Sequence, residues 1–187
     1  MPHDSDPEPW QVESSEYLHR LPWLTLRRDS VHMSGGGAIP DYYVLEYPAW
    51  LSVLAVTTSG DLVLLRQYRH GLGAVHFELC AGVVEAGEEP MQAARRELLE
   101  ETGFGGGQWQ FWMDSSPNPG THTNLSHCFL ALGVEKMQEP QLEATEEITV
   151  HLVSPEQARH IADGGQMIQS LFLAPLYKYL LSLNQSP

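Results

Sequence analysis

Residues 82–104 read GVVEAGEEPMQAARRELLEETGF. This stretch predicts a loop followed by a helix. The helix begins near Pro90, because the fixed φ of proline suits a first helical turn, and it ends at Gly103, because glycine readily adopts the left-handed conformation of a C-cap. One face of this helix is apolar and can pack on a sheet, through Met91, Ala94 and Leu98.

Another face of the same helix carries Glu97, Glu100 and Glu101, which lie within about one third of its circumference. Like charges at these spacings destabilise a helix by roughly 0.2–0.5 kcal/mol per pair, and the negative end of the helix dipole adds to the repulsion. One interpretation is a solvated acidic surface. The other is a site for a hard divalent cation, which prefers clustered carboxylate oxygens.

The spacing of residues 82–104 resembles the Nudix hydrolase signature, G-x5-E-x7-R-E-U-x-E-E-x-G-U, where U is an apolar residue. Every specified position matches, namely Gly82, Glu88, Arg96, Glu97, Leu98, Glu100, Glu101, Gly103 and Phe104. A chance match in a chain of this length has a probability on the order of 10⁻⁷. The resemblance implies an α+β Nudix fold, in which a mixed β-sheet is sandwiched between α-helices and preceded by an antiparallel strand extension.

The resemblance also implies a metal site. The expected ligands are the side chains of Glu97, Glu100 and Glu101 and the main-chain carbonyl of Ala81. Magnesium is the expected ion, with manganese as the alternative. Such ions neutralise diphosphate charge and lower the pKa of an attacking water, so the resemblance implies a metal-dependent pyrophosphohydrolase in which Glu100 also has a catalytic role.

Further catalytic residues are carried over in the same way. Glu88 and Arg96 are expected to form a pair that orients the carboxylates. Relatives often take their general base from a loop before a late strand, where this chain has Glu146 as first choice and Glu143 and Glu147 as alternatives. The competing interpretations are a surface acid for Glu88 and a solubilising role for the three loop glutamates.

Two segments resemble the ADP-ribose and nucleoside diphosphate sugar branch of the family. They are RQYR at residues 66–69 and ELCAG at residues 78–82, where relatives often carry proline in place of Cys80. Pro119 lies fifteen residues after Phe104, a position that the family associates with ADP-ribose hydrolysis. The expected products are a nucleoside monophosphate and a sugar phosphate.

Four residues outside the signature are expected to bind substrate: Arg66, Arg69, Glu78 and Asn124. The two arginines can hold phosphates, or else one is an edge-strand charge and the other packs against Tyr68. Asn124 lies in a loop rich in amides and hydroxyls, where ADP-ribose enzymes commonly carry acids. A broader nucleoside diphosphate sugar substrate is therefore as consistent with the sequence as ADP-ribose.

The rest of the chain predicts mostly antiparallel strands and C-terminal helices. Predicted strands cover residues 21–33, 42–47, 51–58, 62–68, 76–80, 108–113, 127–134 and 148–153. Ser154 and Gln157 form a capping box that begins a helix to about Ala162. A further helix is predicted over residues 167–183, with a kink at Pro175.

Three regions follow from this pattern: a flexible acidic tail over residues 1–17, N-terminal strands over 18–48, and a Nudix hydrolase domain over 49–187. The N-terminal strands resemble the segment through which relatives dimerise, often by exchanging strands. A homodimer is therefore expected.

The composition restricts the partners. A net charge of −14 with only 10 Lys and Arg residues argues against nucleic-acid binding and leaves a small nucleotide as the expected ligand. The apolar runs are too short or too interrupted to cross a membrane, and the N-terminus lacks a signal sequence. A cytoplasmic protein is expected.

Two other function classes remain open at this point. One is a non-catalytic Nudix-like sensor of ADP-ribose or a dinucleotide, although such modules usually lose signature carboxylates and this chain has lost none. The other is a nucleoside triphosphate housecleaning hydrolase, in which the RQYR segment and the N-terminal strands would be out of place.

Overall fold

The computed structural model describes residues 6–184, which form eleven strands and three helices. The strands are β1 (Gln11–Leu21), β2 (Leu24–His32), β3 (Ala38–Glu46), β4 (Trp50–Thr57), β5 (Leu62–Arg69), β6 (Ala74–Glu78), β7 (Cys80–Val83), β8 (Phe104–Gly105), β9 (Gln108–Ser115), β10 (Ser126–Lys136) and β11 (Ile148–Val153). The helices are α1 (Pro90–Thr102), α2 (Pro155–Asp163) and α3 (Ser170–Leu183). The chain divides into two compact units, one built from residues up to Tyr47 with Asn118–Asn124, the other from Pro48–Pro117 and the residues from Leu125 onward.

The first unit contains an antiparallel three-stranded sheet in the order β1-β2-β3. Its most buried charged group is Asp29, which is 3% exposed and accepts a 2.8 Å hydrogen bond from the guanidinium of Arg27. Arg27 also pairs with Glu46 on β3. The first contact lies within β2, and the second joins β2 to β3.

Strand β1 corrects the predicted boundary of the N-terminal tail. The prediction of a loose tail over residues 1–17 is wrong for residues 11–17, because they form the first part of β1. Every residue of this strand is exposed, so its sequence lacks the apolar alternation by which a half-buried strand is recognised. Residues 1–5, the beginning of the predicted tail, lie outside the described residues.

The second unit is built on an eight-stranded mixed sheet with the central order β11-β5-β4-β10-β8. Strand β10 runs parallel to β4, whereas the other pairs within this sheet are antiparallel. Residues 59–61 form the predicted turn between β4 and β5. The predicted strand at 76–80 is two strands, β6 and β7, which pair with different neighbours on either side of Leu79.

Helices cover both faces of this sheet. Residues 51, 53 and 55 of β4 pack with Ala94 and Leu98 of α1, and the alternate residues 54 and 56 pack with α2 and α3. This alternation follows from the two-residue period of a strand. The predicted mixed sheet between helices is therefore confirmed.

The helix boundaries agree with the local sequence signals. Pro90 occupies the first turn of α1, and Gly103 caps its end with a φ of 73°. The Ser154 capping box begins α2, and α3 begins at Ser170 and contains Pro175. Among the described residues, no helix is long and apolar enough to cross a membrane.

Candidate functional site

The candidate site forms where β7 passes beneath α1. Strand β7 is held in the sheet by its pairing with β4, and α1 packs over it through its apolar face. A Cβ atom added to Gly82 would lie 2.2 Å from Cδ of Glu97. Only glycine therefore lets this carboxylate approach the strand, which explains the first position of the signature in physical terms.

Arg96 connects three carboxylates. Its Nη1 lies 2.9 Å from Glu97 Oε1 and 3.2 Å from Glu100 Oε2, and its Nη2 lies 3.0 Å from Glu88 Oε2. The hydrogen bond from Arg96 holds the pKa of Glu88 below its ordinary value. The predicted contact between Glu88 and Arg96 is present, and the guanidinium also fixes two of the predicted metal ligands.

Glu101 is 7% exposed and is held from the strand side. The backbone N–H of Ala81 donates to Glu101 Oε2 at 3.2 Å. Burial raises the pKa of Glu101 to about 7, and the neighbouring charges of Glu97 and Glu146 contribute to the rise. Burial also raises the pKa of Glu97.

The chemistry of this donor set fits a hard divalent cation. Burial raises the pKa of both Glu97 and Glu101, and a bound cation would offset the cost of keeping these two carboxylates charged. As the side chains lie, the described residues contain no group of three His, Cys, Asp or Glu close enough to share an ion. In this arrangement Glu97 and Glu100 both contact Arg96, at 2.9 and 3.2 Å.

Among the three candidates for the general base, the structure distinguishes Glu146. Its charge acts on Glu97 and Glu101, whereas Glu143 and Glu147 are exposed. The backbone N–H of Glu143 donates to Glu146 Oε2 at 2.9 Å. The backbone N–H of Gln141 donates to the carbonyl of Glu100 at 2.8 Å, which ties the connection carrying Glu146 to the last turn of α1.

Arg69 and Glu78 form a close ion pair beside the cluster. Arg69 Nε lies 2.9 Å from Glu78 Oε1 and its Nη2 lies 2.5 Å from Oε2, while Glu78 is only 4% exposed. The hydrogen bond to Glu78 raises the pKa of Arg69, and the charge of Glu101 contributes. The buried acid therefore fixes the direction of a half-exposed guanidinium.

The alternative interpretation takes one of the two arginines as an edge-strand charge and the other as a packing partner of Tyr68. At Arg66, β5 pairs with β11 on one side and with β6 on the other, whereas Arg69 pairs, within the described chain, only with Ala74 of β6. Arg66 lies 5.0 Å from the ring centroid of Phe77 and Arg69 pairs with Glu78. The two arginines consequently differ in their surroundings.

A cavity of about 340 Å³ adjoins the backbone of β7. Its walls include Arg69, Ala81 and Gly82, and it extends to Gln169 and Phe172 at the beginning of α3. The contribution of α3 could not be predicted from the sequence, because no local signal connects residues so far apart along the chain. Tertiary packing alone brings them to the cavity.

Asn124 belongs to the compact unit that also contains the N-terminal strands. It is 6% exposed, and neither its Oδ1 nor its Nδ2 has a hydrogen-bond partner among residues 6–184. A buried amide without partners costs about 1–3 kcal/mol, so it calls for a polar ligand or water.

Comparison with known proteins gives two family matches. The NUDIX domain family matches residues 48–171, and the family described as Nucleoside diphosphate sugar hydrolase N-terminal domain matches residues 10–45. The chain is 32% identical over 167 residues to an ADP-ribose pyrophosphatase of Mycobacterium tuberculosis, covering 88% of this chain and 80% of that protein. It is 31% identical over 125 residues to an ADP-ribose pyrophosphatase of Bacillus subtilis, covering 66% of this chain and 68% of that protein.

A solved structure shares the fold. A crystal structure of an ADP compounds hydrolase matches with a TM-score of 0.83 and covers 97% of this chain and 100% of that chain. The sequence identity in this match is 17%, so the likeness concerns the fold. The α+β architecture inferred from the signature is thereby confirmed.

Proposed function

This chain belongs to the Nudix family of hydrolases, and we propose that it uses magnesium to cleave the diphosphate of a nucleoside diphosphate sugar or of ADP-ribose. The family and the ADP-ribose pyrophosphatase relatives make it a hydrolase acting on pyrophosphate bonds. The observation that carries the proposed mechanism is the cluster of Glu97 and Glu101 against the backbone of Ala81 and Gly82.

The ligands in this proposal are Glu97, Glu100, Glu101 and the carbonyl of Ala81. Bound magnesium, or manganese in its place, would neutralise diphosphate charge and lower the pKa of a bound water. Arg96 keeps Glu97 and Glu100 on one face of α1, and both side chains would turn from the guanidinium to ligate the ion. Glu88 keeps the guanidinium in place from the loop.

Glu146 is the proposed general base. Its carboxylate is close enough to Glu97 and Glu101 to raise the pKa of both, so it can reach a water that lies at the cluster. Glu146 would accept the proton of the attacking water, and its hydrogen bond from the backbone of Glu143 orients it. Glu143 and Glu147 remain the alternatives.

The substrate is proposed to extend from the cluster into the cavity beside β7. Arg69 would bind a phosphate oxygen with the donors that Glu78 leaves free, and Gln169 would meet a polar group deeper in the cavity. Asn124 stays a proposed reader of a substrate hydroxyl, and its buried amide, which has no partner among residues 6–184, supports a polar ligand there. Arg66 is the weaker of the predicted substrate contacts, because it lies over Phe77.

The match of residues 10–45 to the Nucleoside diphosphate sugar hydrolase N-terminal domain supports this substrate class over nucleoside triphosphates. The names of the relatives from M. tuberculosis and B. subtilis support ADP-ribose as one member of the class. The complete set of signature carboxylates supports catalysis over a purely regulatory binding role.

The test is a hydrolysis assay with magnesium and a panel of ADP-ribose, GDP-mannose, UDP-glucose, ADP-glucose, NADH, diadenosine polyphosphates and nucleoside triphosphates. Phosphorus NMR should detect a nucleoside monophosphate and a sugar phosphate. Glu101→Gln should lower kcat at least about 100-fold, while Glu139→Gln, at a 91% exposed side chain, should leave it unchanged. Release of inorganic phosphate or pyrophosphate from triphosphates alone would favour the housecleaning class, and tight binding of ADP-ribose without turnover would favour the sensor.

A homodimer formed through the N-terminal strands is part of the proposal. In the first unit, large apolar side chains are exposed on and beside the strands: Trp10, Val12, Tyr17, Leu18, Leu21, Trp23, Leu24 and Tyr43. So many exposed apolar side chains favour an interface with another protein surface. We propose that this surface belongs to a second copy of the chain. Light scattering after size exclusion should give a mass twice that of the chain. Trp23→Asp should shift the measured mass toward that of the monomer. A monomeric wild type would refute the proposed homodimer.

We place the protein in the cytoplasm. Its two cysteines, Cys80 and Cys128, are free and buried, which suits a reducing compartment. Cell fractionation with an antibody against the native chain would test this assignment, and recovery only with membranes or culture medium would contradict it.

A further inference from the structure

Strand β3 lies at an edge of the small N-terminal sheet, and the segment Asn118–Asn124 covers part of its free side. The N–H of Leu45 donates to the carbonyl of Thr121 at 2.7 Å, and the N–H of Thr123 donates to the carbonyl of Leu45 at 3.1 Å. Leu45 and His122 thereby form a parallel β-bridge. The segment is thus added to the sheet in the way that a short extra strand would be.

A side chain of β3 holds the same segment at a second point. The hydroxyl of Tyr42 donates to the carbonyl of Gly120. Tyr47, which directly follows β3, has its ring centroid 5.2 Å from that of His122. The segment also forms a compact turn, because the N–H of His122 donates to the carbonyl of Asn118 at 2.8 Å. The path of the segment is therefore fixed both by the N-terminal sheet and by its own turn.

Asn124 directly follows the bridge. It is 6% exposed, and neither its Oδ1 nor its Nδ2 has a hydrogen-bond partner in the described part of the chain. On one side of it, Thr123 is bonded to the carbonyl of Leu45. On the other side, Leu125 accepts a 2.9 Å hydrogen bond from the N–H of Trp50. The backbone is therefore anchored on both sides of an amide whose buried donor and acceptor call for a ligand.

The chemistry of this amide selects among the parts of a nucleotide substrate. A sugar hydroxyl suits it, because a hydroxyl can donate one hydrogen bond to Oδ1 of Asn124 and accept another from Nδ2. An ionised phosphate oxygen only accepts, so it would leave Oδ1 without a donor. The segment Asn118–Asn124 also contains no Lys or Arg with which to hold a phosphate. A hydroxyl is consequently the better match.

We propose that β3 is a positioning element for substrate selection, in which Tyr42 and Leu45 hold the segment so that Asn124 meets a hydroxyl of the distal sugar. The distal sugar is the one that leaves as a sugar phosphate. The inference rests on the proposed function, because it takes a nucleoside diphosphate sugar or ADP-ribose as the substrate. The N-terminal sheet then has a role in recognition that is separate from dimerisation. Since the segment is already fixed, little ordering is required when the substrate binds.

The primary test compares substrates that differ in one half only. ADP-ribose and ADP-glucose share the nucleoside, whereas ADP-glucose and UDP-glucose share the distal sugar. Asn124→Ala should change the ratio of kcat/KM within the first pair about 3- to 10-fold, because ribose and glucose place their hydroxyls differently. It should leave the ratio within the second pair unchanged to about twofold. A change confined to the second pair would assign Asn124 to the base, and equal losses on all three substrates would assign it to a shared part; either result would overturn the proposal.

Tyr42→Phe tests the positioning step. It removes the hydrogen bond to Gly120 and keeps the ring, whose centroid lies 6.0 Å from that of Trp10. KM for the preferred substrate should rise about 2- to 5-fold, with kcat within about twofold of wild type. In an Asn124→Ala background, the same change should have no further effect on KM, because the side chain that it positions is gone. Additive effects would mean that Tyr42 acts independently of Asn124.

Tyr177→Phe is the matched control, because it also removes a hydroxyl hydrogen bond, the one to Asp163 in the second unit. Its KM should equal that of wild type. Light scattering should give the same mass for Tyr42→Phe as for wild type. A lower mass would attribute the change in KM to assembly and would overturn the proposal.

Hydrogen–deuterium exchange gives a readout that is independent of activity. In Tyr42→Phe, peptides that cover the segment Asn118–Asn124 should exchange at least about threefold faster than in wild type, because one of its attachments to β3 is lost. Peptides that cover β5 should exchange at the wild-type rate. An unchanged rate in the segment would refute the positioning role of Tyr42.

The failures of the two proposals are distinguishable. If the wild type hydrolyses nothing on the panel, the proposed function fails, and the role of β3 in substrate selection fails with it. If the wild type is active and neither Asn124→Ala nor Tyr42→Phe changes KM or the substrate ratios, only the role of β3 fails.

Discussion

At the acidic cluster on α1, single side chains contact more partners than the spacing of residues along the sequence specifies. Spacing along α1 predicts that Glu97, Glu100 and Arg96 share a face, because helical geometry is local. It does not predict which acid the guanidinium contacts, nor the pairing of Arg69 with Glu78, since these depend on how strands and loops pack. The pattern therefore gave the residue types of the site, and packing gave their partners.

The close approach at Gly82 leads to the first prediction. Gly82→Ala places a methyl group on the carboxylate of Glu97, whose flexible end can move away. We expect kcat/KM to fall about 10-fold or more, with a loss of stability below about 1 kcal/mol. Gly71→Ala, where a Cβ meets nothing within 4 Å, is the matched control. A stable variant with full activity would show that the position of Glu97 is unimportant.

A second prediction concerns pH and Asp29. Burial alone would raise the pKa of Asp29, but hydrogen bonds from Arg27 and Ser15 outweigh it and hold the pKa below its ordinary value of 3.8. A lowered folded-state pKa stabilises the fold above the unfolded value, and the contribution disappears as pH falls through the folded value. Asp29→Asn should therefore lower the Tm near neutral pH, and its difference from wild type should shrink below 3.8.

Asp41→Asn is the control for that series, because Asp41 is on the same small sheet but 51% exposed, 3.3 Å from Arg28. It should change Tm little at any pH. Thermal unfolding followed by circular dichroism gives the Tm of the wild type, Asp29→Asn and Asp41→Asn at each pH. If the difference in Tm between Asp29→Asn and wild type stayed constant as the pH fell, the link between the pKa of Asp29 and stability would be contradicted.

At the level of elements, helices were more predictable than the N-terminal strands. The boundaries of α1 and α2 follow from proline, glycine and a capping box, which act within a few residues. Strand β1 has no buried residue, so it carries no periodic signal, and its existence depends on pairing with β2. Pro40 is compatible with β3 because that strand lies at an edge of its sheet.

The end of α1 gives the third prediction. Gly103 has a φ of 73°, and a Cβ there would lie 2.0 Å from the carbonyl oxygen of Gln138. Gly103→Ala should destabilise the protein by about 2 kcal/mol or more, from backbone strain together with a clash against main chain. Gly106→Ala has a similar φ of 71° and open space, so it should cost only about 1 kcal/mol. Urea unfolding measures the free energy of unfolding of both variants. Equal losses of stability would mean that the protein relieves the clash at Gly103.

At the scale of the molecule, the sheet of the second unit separates the candidate site from the larger apolar core. Its α1 face carries the acidic cluster, and the face covered by α2 and α3 holds the larger apolar core. The mixed order of the sheet, with β4 beside both β7 and β10, was implied only by the family resemblance. Residue patterns along the chain cannot supply strand order, because pairing partners are distant in sequence.

Metal binding provides the prediction at this scale. A cation that binds only the folded state at 100 times its Kd should stabilise the protein by about 2.7 kcal/mol. Urea unfolding with magnesium chloride, against sodium chloride at matched ionic strength, measures this gain. Glu101→Gln should abolish most of it, and an equal gain in that variant would place the ion elsewhere.

The hydrogen bond from Gln141 to Glu100 has a kinetic consequence for Glu146. Gln141 and Glu146 are five positions apart in the sequence, so the tether spans roughly 12 Å as a flexible chain. A short tether of this kind presents its group at an effective concentration on the order of millimolar or above. In the proposed mechanism, Glu146 would therefore return to the cluster by a local search even when its last contacts are broken, and turnover would not require a large part of the fold to close over the substrate.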